Sequence, residues 1–477
     1  MPQCNEEQTF GKAGEYVKKV CEQIRWGRAH KVISEELLNH IEDQKEAFIK
    51  KGQKEQEAER NAVLEMGDAV KVGQQLDRTH RPKPEWGTMV ILCICLILGA
   101  VVQFIVSYYS GMNGENYDSA FKDYLVSVPF GLAAFLFVYF ADFSLIIRSP
   151  IFFYFSILAA SAGIIINSTA RFGTYGHILC TAMILCPMYA AIVYNYRNSR
   201  YDGIIKSGLI AVLTLGVFAY GGGYMACFLF AISGLIILST AISKGWFLVK
   251  KWKAFLLVYV PALSVLMYTL LAIQAHISLR GRGIIFPLGS LIHQQESGDF
   301  YVLMVLKQYI QNLRLWGEGM PAFPNSLSPA TIEKILPCWG SDYSLVYIAY
   351  KFGYVCAAIL IAILVLLLIR MLVITLRQTS ELGFIVCLSV TIELFIQSAF
   401  YILSNLGIMA AVAGPLPFIT YEEKSFIANM YLMGLFLSAY RNKSIVSDKQ
   451  ATKSKSLCFW SILKKKKSTG GDNYAEI

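Results

Sequence analysis

Apolar residues fill most of this chain in blocks too long and too free of alternation to be strands. Between Trp86 and about Tyr440 ten blocks stand out, at 87–108, 125–147, 151–167, 178–196, 204–221, 224–243, 254–275, 344–369, 384–405 and 425–440. Each is near the roughly 20 residues that carry a helix across a hydrocarbon core about 30 Å thick. Backbone groups in lipid must be satisfied within the segment, which unbroken apolar runs achieve as helices and not as barrel strands. The fifth block runs into Gly221-Gly222-Gly223, and the tenth is short. The pattern predicts an all-α, polytopic membrane protein with about ten transmembrane helices.

Two stretches depart from this pattern. Residues 1–85 have no spanning block and read as short amphipathic helices, with Ile33, Leu37, Ile41 and Phe48 at roughly helical spacing. Gly67-Asp68 reads as a stop followed by an N-cap for a short helix through Leu76. Arg81-Pro82-Lys83-Pro84 is a stiff linker to the first block, and no cleavable signal is expected ahead of it. The second stretch, 276–343, is a 68-residue loop between the seventh and eighth blocks. It is too apolar for disorder, and Tyr301–Trp316 has the spacing of a helix lying along the membrane surface.

Composition narrows the class. Hydrophobic residues make up 55%, charged residues only 16%, and mean hydropathy is +0.48. A soluble chain carries about a quarter charged residues, so a cytosolic enzyme, a disordered scaffold and a nucleic-acid-binding domain are excluded for the whole. Seven of the 11 cysteines lie in apolar runs, without CxxC pairs or Cys/His clusters at metal spacing, as small buried hydrophobes do.

Charge gives an orientation. With the N-terminus inside, the inner loops hold ten Lys/Arg, among them Arg148, Arg197, Arg200, Lys244, Arg370 and Arg377. The short outer loops hold three, Lys122, Arg171 and Lys424. This asymmetry predicts that both termini are cytoplasmic and that the long loop is extracellular. The expected organisation is a cytoplasmic helical prefix (1–85), a transmembrane domain (86–440) and a basic cytoplasmic tail (441–477). The tail carries Lys464-Lys465-Lys466-Lys467 and is expected to attract anionic inner-leaflet lipids, not nucleic acid.

Several phrases in the second half occur in a telling order. Arg280-x-Arg282 and Phe286-Pro287 precede Ser297-Gly298-Asp299-Phe300-Tyr301 and Gly317-Glu318-Gly319. Leu336-Pro337-Cys338-Trp339-Gly340-Ser341-Asp342-Tyr343 follows, with Gly353 eleven residues after Asp342. Then come Gln397, Asn405-Leu406-Gly407, Gly414-Pro415-Leu416-Pro417-Phe418-Ile419-Thr420-Tyr421 and Asn429-Met430. The series resembles the SEDS family (shape, elongation, division and sporulation), which includes RodA and FtsW. The corresponding family phrases are RxR…P, GxGYQ, GKG, LPExHTDF…GEELG, Q…NIG and GIPLPFISYGGSS…NM. The segment before residue 86 is similar to a permease prefix.

The resemblance implies a peptidoglycan glycan-strand polymerase of the bacterial cytoplasmic membrane, using lipid II and working with a class B penicillin-binding protein. It places the family's essential carboxylate, thought to be the base, on Asp342. The chemistry needs a base for the acceptor hydroxyl and positive charge for the departing pyrophosphate. Arg280 and Arg282 are the candidate pyrophosphate partners, since a guanidinium fork matches phosphate oxygens. Arg171 matches part of a family ARRW phrase and is a third substrate-binding candidate. Metal dependence is not legible, and a divalent cation (Mg or Mn) stays open as a cofactor.

Other readings stay open as well. An Asp just ahead of an apolar helix serves as an N-cap more often than as a base. Glu393 inside the ninth block should face the bundle, because a carboxyl is costly in lipid. The chain departs from the family at Gly340-Ser341 for His-Thr, at Tyr350-Lys351 for the paired glutamates, and at Glu422-Glu423 for the glycine pair. A catalytically inactive scaffold or regulator of wall synthesis, or a transporter of lipid-linked precursors, is the alternative function.

Overall fold

The computed structural model describes residues 11–81, 84–113, 119–141, 149–167, 175–264, 298–320, 332–336, 339–408, 414–420 and 422–442. Helices and the turns between them form these residues, with no strand among them. Contacts divide the chain into two units, Glu85–Tyr440 and the remainder.

The amino-terminal unit contains α1 (Lys12–Glu22), α2 (Gly27–Lys50), α3 (Glu55–Glu65) and α4 (Ala69–His80). Ile33, Leu37 and Ile41 of α2 are buried with Tyr16, Val17 and Val20 of α1 in a small core, and Phe48 packs against it. Asp68 caps α4 as the sequence predicts, accepting from Val70 N at 3.1 Å, after Gly67 at φ +80° ends the preceding turn. The helix continues to His80, past the expected end at Leu76.

The larger unit contains α5 (Trp86–Asn113), α6 (Ala120–Phe140), α7 (Pro150–Asn167), α8 (Tyr175–Asn195), α9 (Tyr201–Tyr220) and α10 (Tyr224–Ser243). Then come α11 (Gly298–Gln311), the single turn α12 (Ile332–Ile335), α13 (Ser344–Phe352), α14 (Tyr354–Leu376), α15 (Glu381–Asn405) and α16 (Glu423–Arg441). Among the described residues eight helices are long and apolar enough to cross a membrane: α5 to α10, α14 and α15. The chain is a multi-pass membrane protein.

Three of the ten expected blocks differ from their expected extents or fall partly outside the described residues. The seventh block is helical over 251–264, and the rest of it lies outside the described residues. The tenth is helical as α16, but Ser425, Asn429 and Ser438 are buried in it and dilute its apolar character. The eighth does not begin at 344. It breaks at Gly353, where φ +98° and ψ 155° suit glycine alone, into the nine-residue α13 and the spanning α14. The loop helix expected over Tyr301–Trp316 ends at Gln311, and the chain turns back, with Met320 N donating to Asn312 O at 2.9 Å.

Packing explains the remaining polar residues. α8 and α15 are the most enclosed spans, and Glu393 of α15 is fully buried, accepting from Ser233 Oγ of α10 at 2.8 Å. Charges pair at one end of the bundle. Lys244 meets Glu381 at 2.8 Å, and Arg370 reaches back to Glu85 and Thr88 across Gly87, whose missing side chain leaves room for the guanidinium. The phrases at 317–319, 339–343, 405–407 and 414–420 gather at the other end, around α13.

Candidate active site

The amino-terminal end of α13 presents Asp342. Tyr343 is the N-cap residue and makes no side-chain cap bond. Asn405, the last residue of α15, does that work from outside the helix. Its Oδ1 accepts from Val346 N at 3.2 Å, while its Nδ2 donates to Asp342 O at 2.8 Å and Tyr401 O at 3.0 Å. Tyr401 adds a second stitch, its hydroxyl 2.9 Å from Ser344 Oγ and donating to Ser341 O at 3.4 Å. The backbone of 341–343 is thus fastened to α15 by neutral groups. Asp342 is half-buried. Tyr343 occupies the N-cap position, and Asn405 supplies the acceptor for Val346 N.

The carboxyl-terminal end of α13 is held differently. Its last carbonyls lack intrahelical partners, and the Gly317-Glu318-Gly319 phrase supplies them. Gly317 N donates to Phe352 O at 3.1 Å and Gly319 N to Tyr350 O at 2.7 Å, while Tyr354 N donates to Arg314 O at 3.0 Å. Glycine is required where the two segments touch. A Cβ on Gly353 would collide with the Leu315 carbonyl, and one on Gly319 would lie 2.6 Å from the Tyr350 ring.

Charge reinforces this second junction. Lys351 Nζ lies 2.7 Å from Glu318 Oε1 and 3.4 Å from Glu333 Oε1, and Tyr347 OH donates to the same Glu333 oxygen at 3.1 Å. Burial alone would lower the Lys351 pKa. The bond to Glu318 and the charges of Glu333 and Glu318 outweigh it and hold the pKa above the ordinary lysine value, so Lys351 stays charged. Burial, then the Glu333 charge, pushes the Tyr347 hydroxyl up. The Trp339 and Tyr347 rings pack at 4.5 Å, and Lys351 sits over the Tyr109 ring of α5 at 5.2 Å. Two departures from the family phrases are therefore one exchange. The lysine of GKG has become Glu318, a glutamate of the pair has become Lys351, and the two meet.

The remaining phrases close the far side of α13. Gln397 Nε2 donates to Pro415 O at 2.9 Å, and Thr420 Oγ1 accepts from Leu416 N at 2.6 Å, shaping the turn 414–420 with Phe418 at φ +65°. Ser344, Leu345 and Ile348 of α13 share a narrow crevice with Val102, Leu416 and Thr420.

Arg171, Arg280 and Arg282 lie outside the described residues, so Asp342 is the one candidate the structure locates. No group of three His, Cys, Asp or Glu side chains among the described residues is arranged to hold a metal ion. Glu333 escaped the sequence reading. Its signal was a carboxylate nine residues ahead of Asp342, followed by Lys334 and the apolar Ile335-Leu336.

The family model for FtsW, RodA and SpoVE, described as "Cell cycle protein", matches residues 86–445. The chain belongs to the FtsW/RodA/SpoVE family. Among its relatives, the peptidoglycan glycosyltransferase MrdB of Helicobacter pylori is 33% identical over 111 residues, 23% of this chain and 29% of the relative. The probable peptidoglycan glycosyltransferase FtsW of a Thioalkalivibrio species is 29% identical over 127 residues, 26% of this chain and 32% of the relative. The chain thus spans under a third of the length of these curated relatives. A solved chain from "Structural coordination of polymerization and crosslinking by a peptidoglycan synthase complex" has the same fold. Its TM-score is 0.56 at 15% identity, covering 76% of this chain and 98% of that one.

Proposed function

We propose that this FtsW/RodA/SpoVE-family protein is a peptidoglycan glycosyltransferase that polymerises lipid II into glycan strands for cell wall synthesis. The observation that carries the proposal is Asp342 at the amino-terminal end of α13, its backbone carbonyl held by Asn405, which also caps Val346 N. Asp342 takes the proton of the acceptor sugar hydroxyl as that oxygen attacks the anomeric carbon. The bond from that carbon to the lipid pyrophosphate breaks, and its electron pair leaves on the pyrophosphate. Arg280, Arg282 and Arg171 are proposed to bind this pyrophosphate.

The protein is proposed to lie in the bacterial cytoplasmic membrane with both termini inside and α13 at the outer end, supported by the ten-to-three asymmetry of Lys and Arg between loops. A class B penicillin-binding protein is the proposed partner. The fold-related chain belongs to work on polymerization and crosslinking within one complex, which supports that pairing. The test is purified protein with labelled lipid II and gel separation of products. Glycan strands are expected from wild type, and their absence under conditions where lipid II binds would favour the scaffold.

A further inference from the structure

Glu333, in the single turn α12, begins the approach that leads to Asp342, and this approach is fastened at both ends. Asn405 and Tyr401 hold its far end. At the near end, Glu333 is buried, its side chain 1% exposed, and is reached by Tyr347 and Lys351, four residues apart on one face of α13. Lys351 has two acidic partners of unequal weight. Glu318 is 60% exposed, so water can solvate its carboxylate when the lysine is lost. Glu333 is enclosed, and an enclosed carboxylate that loses its counter-ion is strongly unfavourable. The second Glu333 oxygen is buried with no hydrogen-bond partner among the described residues, so Lys351 and Tyr347 carry the compensation.

We propose that Glu333 and Lys351 are positioning residues: their buried ion pair closes the base of the loop that presents Asp342, and Lys351 serves Glu333 instead of contacting substrate. The consequence for activity rests on the assignment of Asp342 as the base, but the structural claim does not. Without its cation Glu333 must take up a proton or turn to water, and the loss of the ion pair loosens the loop base and lets Asp342 drift from the reacting hydroxyl.

Exposed Lys334, beside Glu333, gives a readout independent of catalysis, because trypsin can cut there once the loop base opens. In the full-length protein in detergent, Lys351→Met should raise the cleavage rate after Lys334 by at least about 10-fold. Lys351→Met with Glu333→Gln removes both charges while leaving an acceptor for Tyr347, and should return the rate to within about 3-fold of wild type. Lys351→Arg should match wild type, and Glu318→Gln should stay within about 2-fold. In the polymerisation assay Lys351→Met should lose about 10-fold or more in kcat with little change in apparent KM, and the double variant should recover most of it. A double variant cleaved as fast as Lys351→Met, or Glu318→Gln as damaging as Lys351→Met, would overturn the proposal. If wild type makes no glycan while the cleavage rates follow this pattern, the catalytic reading fails and the loop closure stands.

Discussion

The two ends of α13 are secured by opposite means. At the amino-terminal end, Asn405, Tyr401 and Ser344 use neutral hydrogen bonds, most of them to backbone. At the carboxyl-terminal end, two glycines admit a neighbouring stretch of backbone and a lysine joins two carboxylates. A fixed cation beside Asp342 would stabilise its charged form and make it a weaker base. Placing the Lys351 ion pairs at the far end holds the helix firmly while keeping that cation away from the Asp342 carboxylate.

Disrupting the backbone of the charged end should have the largest effect. Gly353→Ala forces a side chain into a conformation that costs about 1–3 kcal/mol by itself, and the new Cβ also strikes the Leu315 carbonyl. Folded protein recovered from the membrane in mild detergent should fall sharply. Recovery and thermal midpoint equal to wild type would mean that the break between α13 and α14 is not a constraint.

At the neutral end, Asn405→Leu removes the cap of Val346 and the bond to the Asp342 carbonyl together. Each lost bond to a buried backbone group costs about 1–3 kcal/mol. The expected outcome is a lower thermal midpoint with loss of polymerisation. Asn405→Asp keeps the acceptor for Val346 but loses the donor, and adds a negative charge near Asp342. It should retain more stability than activity, seen by comparing melting with turnover.

A smaller effect separates the ends by pH. The folded-state pKa of Lys351 is raised, so the ion pair contributes its full stability below the ordinary lysine value of 10.5 and loses it as pH rises through the higher folded value. The thermal midpoint of wild type should therefore fall more steeply above pH 10.5 than that of Lys351→Met with Glu333→Gln. Parallel curves would show that the pair contributes nothing.

How far the sequence reveals this arrangement depends on the range of the interactions. The spans were legible because apolar length reports directly on a bilayer, and the Asp68 cap because it acts within two residues. The break at Gly353 was hidden, since apolar residues continue on both sides and the Leu315 carbonyl that leaves no room for a Cβ there belongs to another segment. Asp342 was legible by its phrase, yet Asn405, which holds its backbone carbonyl, lies sixty-three residues away. Lys351 read as a departure because its partners, Glu318 and Glu333, come from other turns of the chain. Local chemistry and lipid length are written in order along the sequence, and counter-ions across a fold are not.

The central claim is that Asp342 acts as a base and not as part of the scaffold. Asp342→Asn preserves volume and the backbone carbonyl that Asn405 holds, but cannot take up a proton at neutral pH. General-base assistance is worth about 10²–10⁴-fold, so turnover of labelled lipid II into glycan should fall by that much while lipid II binding and the thermal midpoint stay near wild type. Polymerisation by the Asp342→Asn variant at the wild-type rate would contradict the account.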